Sequence, residues 1–361
     1  MNTQSASITL YENEVPAFAG AELERLYSNL FSSLPMLSVN NAAFANTYVS
    51  SAKGTANHLF LFEKKDPVVH VLNEGMRIED DEIGRFADFI FEKYPSVNVI
   101  SLHAVECAPD ELHLPCQQYP VLEDIVATMP STAEDYLASL GKSTRSYINR
   151  YLNKMRRENP SFKYEVYVKD EIDERDVREL IDIHKARMSG KEKTSLVDEE
   201  RVKEILQLLK EFGFVVIARV NEKICAGTIN YQIGDNYFLE TIAHDSNFND
   251  YRIGTICAYL TICECISRSG KEYHFLWGEY DYKFRLGGIK RVLSNIFIYR
   301  SRSHVFYNSD IFLNTAFKIR LQHIRKWLHD EASRQDTRTA KVAGGILSLL
   351  QKGKRILPSS S

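Results

Sequence analysis

The chain has 361 residues, too many for one ordinary hydrophobic core and enough for two domains. Its hydrophobic content of 44% and charged content of 26% are typical of globular proteins, and no run reaches the roughly 18 apolar residues that a membrane span needs. The six cysteines contain no CxxC pair, so we expect no metal site. The first residues show no basic segment followed by an apolar one, so we expect a cytoplasmic protein.

The net charge of −3 combines segments of opposite sign. Residues 1–136 hold 7 Lys/Arg and 20 Asp/Glu, residues 137–300 hold 27 and 24, and residues 301–361 hold 11 and 4. The acidic first segment argues against a chain that coats nucleic acid along its length, and we expect no DNA partner. Any contact with a polyanion should fall behind residue 137.

Periodicity in the first half predicts a short mixed domain. Apolar runs with turn residues between them indicate strands, and a stretch with helical spacing separates them. The predicted strands are 57–64, 67–73, 98–105 and 119–129, and the predicted helix is 80–95. We interpret this pattern as a shortened, degenerate copy of the second half. Two helical segments, within residues 131–160, form a bridge between the halves.

The second half has a clearer pattern, in the order β-α-α-β-β-β-α-β-β. Alternating apolar residues predict the strands, and apolar residues three and four apart predict the helices. The predicted strands are 162–168, 214–220, 224–233, 236–244, 273–277 and 294–301, and the predicted helices are 173–188, 198–213 and 253–270. A long helix from residue 309 to 332 and a short one at 341–351 follow.

Four stretches in this half carry a family resemblance. They are "LGKSTRSYINRYLNKMRRENPSFKYEVY", "LIDIHKARMSGK", "VNEKICAGTINYQIGDNYFLETIAHDSNFNDYRIGT" and "LWGEYDYKFRLGG", in this order. Together they resemble the FemAB-like branch of the GNAT acyltransferase superfamily, especially its polysaccharide-associated CelD-like members. The resemblance covers about residues 137–300. It implies two tandem acyltransferase units that take acyl groups from acyl-CoA or amino acids from aminoacyl-tRNA.

The resemblance implies an α/β fold in which the fourth and fifth strands separate and hold the thioester of acyl-CoA between them. The phosphates of the donor would meet the backbone N–H groups where the next helix begins. In this sequence that turn comprises Arg252, Ile253, Gly254 and Thr255. It has one glycine where the family has more, and an ordinary helix start is the alternative interpretation.

Four residues are candidates for the chemistry. Acyl transfer forms an oxyanion and needs a base for the acceptor's proton. Glu240 and His244 lie four residues apart on the predicted fourth strand, and since side chains alternate between faces we expect both on one face. A structural hydrogen bond is the alternative role for either residue. Glu279 follows the fifth strand, where a turn cap is the alternative. Lys283 belongs to the family's "YKFRLGG" signature and would face the cleft beside Tyr282.

Further residues are candidates for binding the acceptor. They are cationic or aromatic and stand at the end of the first helix, in the bridge or in the signature stretch: His184, Arg187, Arg145, Trp277, Tyr282 and Arg285. Cations near the end of a helix also offset its dipole, which is the alternative for the first two. The cations of residues 142–157 could instead form a solvated helix face.

The basic C-terminal tail has two interpretations. Phe317, Leu321, Ile324 and Leu328 share one face of a predicted helix, which Trp327 borders. A packed terminal helix explains this pattern, and a helix that lies on the inner face of a membrane is the alternative.

We therefore predict four segments and one active unit. A degenerate unit spans residues 1–130, the bridge 131–160, the acyltransferase unit 161–305 and the tail 306–361. The predicted reaction transfers an acyl group, acetyl from acetyl-CoA, to an amine or hydroxyl of a sugar or cell-envelope precursor. An aminoacyl transferase that uses charged tRNA is the first alternative, and we do not expect tRNA to bind. A non-catalytic adaptor in an envelope or polysaccharide synthesis complex is the second.

Overall fold

The computed structural model describes residues 7–39, 45–52, 54–107, 112–189, 197–317 and 319–320. In this part of the chain twelve strands form one mixed sheet. The strands are β1 Ser7–Tyr11, β2 Asn46–Ala52, β3 Thr55–Lys65, β4 Val68–Val71, β5 Val99–Val105, β6 Cys116–Thr128, β7 Lys163–Val168, β8 Gly213–Val220, β9 Lys223–Ile233, β10 Asn236–His244, β11 Glu272–His274 and β12 Ile289–Tyr299. The helices are α1 Ala19–Tyr27, α2 Leu34–Val39, α3 Asp80–Lys93, α4 Ala133–Ser139, α5 Lys142–Glu158, α6 Glu174–Ser189, α7 Glu199–Phe212, α8 Ile253–Ser267, α9 Asp281–Arg285 and α10 Arg302–Tyr307.

The two halves have the same order of elements. The first runs β1-α1-α2-β2-β3-β4-α3-β5-β6, and the second runs β7-α6-α7-β8-β9-β10-α8-β11-β12 with the short α9 before its last strand. The predicted α/β class and two-unit architecture are confirmed. The expectation of a shortened first copy is wrong, because β1, α1, α2 and β2 complete it and the sequence analysis missed all four.

The last strand of each unit lies in the sheet of the other. The strand order is β1-β2-β3-β4-β5-β12-β6-β11-β10-β9-β8-β7, so β12 pairs with β5 of the first unit. In return β6 pairs with β11 of the second unit, and β6 and β12 pair with each other over ten residue positions. This exchange joins what would be two sheets into one.

Burial on both faces of the sheet explains the continuous apolar strands of the second unit. Six successive residues at the start of β8 are buried, as expected for a strand covered by helices on each side. One face packs against α6 and α7, and the other packs against α8 and the bridge helices α4 and α5. Gly213 ends α7 where predicted, and a Cβ there would lie 2.2 Å from the carbonyl oxygen of Leu209.

Two predicted elements differ from the structure. The strand predicted at 273–277 ends at His274, because the chain leaves the sheet after Phe275. Residues 309–317 and 319–320 of the predicted tail helix are helical. The rest of that helix, with Leu321, Ile324, Trp327 and Leu328, and the helix predicted at 341–351 lie outside the described residues.

Candidate functional site

The strands β10 and β11 separate after a short parallel pairing. Asn236, Tyr237 and Phe238 pair with residues 272–274, and β10 then continues for six residues to His244 paired with β9 but no longer with β11. The sheet is therefore open along one edge of β10. Such a break between adjacent parallel strands is a place where a ligand can enter a sheet.

A cavity of about 250 Å³ lies beside this opening. Its walls come from the end of β10, the start of α8, the bridge helix α5 and α9. The lining residues are Tyr147, His244, Asn249, Arg252, Ile253, Gly254, Thr255, Asp281, Tyr282 and Arg285. The cavity thus brings together all four residues of the predicted phosphate turn with His244, Tyr282 and Arg285.

The backbone at the start of α8 allows another group to approach it closely. Arg252 precedes the helix with φ of 53°, in the left-handed region that is uncommon for residues other than glycine. Gly254 follows in the first turn, where a Cβ would lie 2.6 Å from Nδ1 of His244. Amide N–H groups at the first positions of a helix have no partner within it, so this turn can receive an anion beside a guanidinium.

The bridge helix α5 holds this turn in place. The hydroxyl of Tyr147 lies near Thr255, and that of Tyr151 lies near Arg252. The Arg252 guanidinium lowers the pKa of Tyr151, whereas burial raises the pKa of Tyr147. The ammonium of Lys154 lies 4.9 Å from the ring centre of Tyr251, just before the turn. Tyr147 is the α5 residue that lines the cavity, and Lys154 contacts the segment just before the turn.

The C-terminal end of α6 lies against the open edge of β10. Nδ1 of His184 donates to the carbonyl oxygen of Ile242 at 3.1 Å, and Nη2 of Arg187 donates to the same oxygen at 3.4 Å. Burial lowers the pKa of both side chains. Tyr280 and Tyr282 lie close enough to Arg187 to oppose that shift electrostatically. The structure therefore places both predicted residues near the opening, although neither lines the cavity.

Glu240 and His244 lie on opposite faces of the sheet. This corrects the expectation that the two-residue alternation of a strand would put both on the same face. The pairing of β9 and β10 shifts by one residue between Leu239 and Thr241, and Glu240 occupies this bulge. Its carboxylate oxygens accept bonds of 3.0 and 2.9 Å from Arg201 of α7, whereas His244 lies against α8 on the other face. A β-bulge adds one residue and reverses the alternation that follows it.

Lys283 is not directed into the cavity, which corrects the expectation that its side chain faces the cleft. The residue is 3% exposed, and Nζ donates to the carbonyl oxygens of Phe275, Leu276 and Trp277 at 2.8, 3.0 and 2.6 Å. An ammonium has three N–H donors, so none remains for an oxyanion. Lys283 instead holds the backbone where the chain leaves β11, and burial lowers its pKa to about 8.

Three other predicted residues lie outside the cavity lining. Glu279 is exposed and pairs with Lys290 at the start of β12. The ring of Trp277 lies 5.2 Å from that of Phe31 in the first unit. Arg145 donates to the carbonyl oxygen of Ala138 at 2.6 Å.

Sequence reasoning missed three lining residues. Asp281 pairs with Arg285 at 2.7 Å one turn along α9, so this carboxylate, not Glu279, faces the cavity. Asn249 belongs to the turn before Arg252. The ring centres of Tyr147 and Tyr151 lie 4.7 Å apart, with the rings tilted against each other. Two aromatic residues four positions apart on a helix lie on the same side of it, and this spacing could have indicated Tyr147.

The equivalent position in the first unit is closed. After β4 the chain remains hydrogen-bonded to the end of β5 and the residue that follows it. The N–H of Gly75 donates to the carbonyl oxygen of Ala104 at 2.8 Å. Further along, the N–H of Glu106 donates to Met76 at 2.9 Å, and the N–H of Ile78 donates to Glu106 at 3.1 Å. The first turn of α3, which corresponds to α8, carries three acidic residues, Asp80, Asp81 and Glu82. Acidic side chains stabilise a helix start but repel an anion from it.

Comparisons with known proteins agree with this geometry. Residues 142–284 match the family model described as "Acetyltransferase (GNAT) domain". The matched region runs from the start of α5 to α9 and contains the complete cavity lining except Arg285. A search of curated proteins finds no match.

Solved structures add a likeness of fold. A structure titled "Crystal structure of FemX" superposes with a TM-score of 0.59 at 11% identity, and the match covers 80% of this chain and 96% of that one. "The structure of L-PGS from Bacillus licheniformis" has a TM-score of 0.49 at 14% identity, and the match covers 85% of this chain and 97% of that one. A tandem GNAT protein from the clavulanic acid biosynthesis pathway has a TM-score of 0.39 at 10% identity, and the match covers 81% of this chain and 98% of that one. The last two scores are too low to indicate a shared fold. Residues 142–284 thus match an acetyltransferase (GNAT) domain, and the second unit, which holds most of them, shares its sheet with a first unit of the same topology.

Proposed function

We propose that this protein transfers an acyl group, acetyl from acetyl-CoA, to an amine or hydroxyl of an acceptor. The observation that carries the proposal is the cavity at the separation of β10 and β11, which opens onto the start of α8. A sugar or cell-envelope precursor is the proposed acceptor, on the strength of the resemblance to the FemAB-like and CelD-like branch. We place the reaction in the cytoplasm.

The residues of the α8 turn fit the phosphates of such a donor. The N–H groups of Ile253 and Gly254 and the guanidinium of Arg252 would receive the pyrophosphate, and the open edge of β10 would receive the pantetheine amides. Backbone donors and a helix dipole favour an anion at this position. Arg285 adds a second cation to the cavity, which Asp281 partly neutralises.

Two cavity residues can perform the chemistry. His244 would take the proton of the acceptor, since an imidazole accepts protons near neutral pH. The acceptor's nitrogen or oxygen then attacks the thioester carbonyl, and the tetrahedral oxyanion collapses with loss of the CoA thiolate. Burial raises the pKa of Tyr282 to about 12, so this phenol stays protonated at neutral pH and can donate to the oxyanion or the leaving sulfur. Glu240 is not proposed as the base, because Arg201 engages both of its oxygens.

Acyl-CoA binding tests the proposal. We expect isothermal titration calorimetry to detect acetyl-CoA binding to the full chain. Arg252→Ala should weaken binding about tenfold or more, because a charge-assisted contact to phosphate is lost. Gly254→Ala should also weaken binding, because its methyl group collides with His244. The matched controls are Arg156→Ala, an exposed cation on α5, and Gly141→Ala, where a Cβ meets nothing within 4 Å. Absence of binding at millimolar acyl-CoA would favour a non-catalytic adaptor instead.

Aminoacyl transfer from charged tRNA is the second candidate. The observation in its favour is the row of exposed cations on α5, beside the phosphate turn: Lys142, Arg150, Arg156 and Arg157. Contacts of this kind with phosphates weaken steeply as salt displaces them. We expect no salt-dependent, sub-micromolar complex with charged tRNA in a filter-binding assay. Such a complex would replace the acyl-CoA proposal.

A further inference from the structure

Arg187, near the end of α6, is a partly buried cation that lacks an anionic partner. Its Nη2 donates to the carbonyl oxygen of Ile242 at a long 3.4 Å, and its Nε is buried without a hydrogen-bond partner. Among the described residues no carboxylate pairs with this guanidinium, and burial lowers its pKa. Taking an ion out of water is costly unless another group compensates for it. The guanidinium therefore has unmet capacity for an anion.

Two other partly buried arginines of the second unit do have anionic partners. Arg201 on α7 pairs with Glu204 and Glu240, each at 2.9 Å. Arg219 on β8 pairs with Asp176 at 2.6 Å. A guanidinium has five N–H donors, and the one at the end of α6 uses a single donor within the described chain. Donors therefore remain there for a ligand.

Arg187 lies beside the opening between β10 and β11. Ile242, its acceptor, comes two residues before the cavity residue His244, which is about 7 Å along a strand. Tyr282 also lines the cavity and lies close enough to Arg187 to act on its charge. Helix α6 covers one face of the sheet, whereas α8 covers the other. A ligand at Arg187 would therefore reach the opening from the side opposite the proposed donor phosphates.

Aromatic side chains lie close to this guanidinium. Tyr280 is 49% exposed and acts on the charge of Arg187, and its ring centre lies 6.4 Å from that of Tyr282. Trp277, in the same loop, is 40% exposed and contacts Phe31 of the first unit. Exposed rings beside a cation suit an organic anion, because the rings can cover its uncharged part while the guanidinium pairs with its charge.

We propose that Arg187 binds an anionic group, a carboxylate or a phosphate, on the acceptor of the acyl group. The inference rests on the proposed function, in which the donor occupies the α8 side of the same opening. A guanidinium holds either anion through two parallel N–H···O bonds, so the two share one chemistry of recognition. Charge on the α6 side thus selects the acceptor, separately from the binding of the donor.

Saturation-transfer NMR with the full chain and saturating CoA tests this site. The probes are glucose, glucose 6-phosphate and glucuronate, which share one ring and differ only at C6. We expect glucose 6-phosphate or glucuronate to bind at least about tenfold more tightly than glucose, because a charge-assisted pair forms. The tighter of the two shows whether the site prefers phosphate or carboxylate.

Variants assign the difference to one side chain. Arg187→Gln should remove the preference for the anionic sugar and leave the melting temperature and the affinity for acetyl-CoA unchanged. The matched control is Arg178→Gln on the same helix, where the guanidinium already pairs with Glu174 and Glu199. This control should bind the anionic sugar like the wild type.

Three results would overturn the proposal. The first is that neither anionic sugar binds better than glucose. The second is equal binding of the anionic sugar by Arg187→Gln and the wild type. The third is a loss of acetyl-CoA affinity in Arg187→Gln, which would assign the guanidinium to the donor. Failure of the proposed function gives a different pattern: acetyl-CoA does not bind, whereas the anionic sugar still binds and Arg187→Gln still abolishes its binding.

Discussion

The ammonium of Lys283 fixes the point where the chain leaves the sheet. Its three hydrogen bonds to the carbonyl oxygens of Phe275, Leu276 and Trp277 satisfy backbone groups that β11 no longer pairs. Buried carbonyl groups need such partners. The neighbours Tyr282 and Arg285 are thereby held at the cavity, so Lys283 acts on the site only by positioning it.

Substitution of Lys283 should therefore affect stability first. Lys283→Met keeps most of the side-chain volume but leaves three carbonyl groups without a donor. We expect the free energy of unfolding to fall by about 3 kcal/mol, measured by urea denaturation. Arg285→Met, an exposed cation two residues away, is the matched control and should change it by less than about 0.5 kcal/mol. Unchanged stability combined with a large loss of turnover would restore a catalytic role for the lysine.

Residue types could be predicted better than the directions of their side chains. The aromatic and cationic run from Trp277 to Arg285 indicated a site, and Tyr282 and Arg285 do line the cavity. Lys283 could not be assigned, because its acceptors are carbonyl groups whose positions depend on where β11 ends. Glu240 was placed on the wrong face because a bulge leaves no clear mark in a sequence.

At the scale of elements, α3 and α8 occupy equivalent places but differ in chemistry. The acidic first turn of α3 and the closed pairing between residues 75–78 and 104–106 leave no opening in the first unit. We expect calorimetry to give one acetyl-CoA per chain. Arg252→Ala should weaken that single binding event without revealing a second one. A stoichiometry of two would contradict the assignment of the first unit as closed.

The strands exchanged between the units meet at a buried charged cluster. Nδ1 of His274 on β11 lies 2.6 Å from the carboxylate of Asp124 on β6, and Nε2 lies 3.4 Å from Glu272. Arg291 of β12 pairs with Glu272 at 2.5 Å, and Phe238 of β10 stacks on the imidazole at 4.3 Å. Burial alone would lower the pKa of His274, but the two carboxylates outweigh it and raise that pKa.

This cluster predicts a pH dependence of stability. A histidine whose pKa is raised by folding stabilises the protein fully below about pH 6.5, and the contribution is lost as pH rises through the folded pKa. We expect the free energy of unfolding to decrease across that window. His274→Gln should flatten the dependence, whereas His113→Gln, an exposed histidine paired with Asp88, should not. Equal slopes for the wild type and His274→Gln would show that the cluster does not contribute.

Elements of the second unit were predictable because their periodicity is local. Strands β7 to β10 and helices α6 to α8 appear within a few residues of the predicted bounds. The exchange of β6 and β12 was not predictable, because strand pairing between distant segments has no local signal. The start of the first unit was missed for a related reason: α1 and α2 are short, and their apolar residues follow no long period.

At the scale of the whole molecule, the exchange makes the units depend on each other. Without the second unit, β5 loses its neighbour β12, and β6 loses β11 and β12. We expect a single cooperative transition when urea unfolding is followed by both tryptophan fluorescence and circular dichroism. Two separate transitions would indicate units that fold independently despite the shared sheet.

Amide hydrogen exchange tests the central claim most directly, because the claim assigns the acyl donor to one turn of one helix. Acetyl-CoA should slow exchange in a peptide that covers residues 246–256, where the N–H groups of Ile253 and Gly254 would bond the pyrophosphate. A peptide covering the equivalent start of α3, around residues 79–83, should exchange at the same rate with and without the ligand. Arg252→Ala should weaken the protection of the first peptide. Saturating acetyl-CoA that leaves residues 246–256 unprotected, or protects α3 instead, would contradict the account.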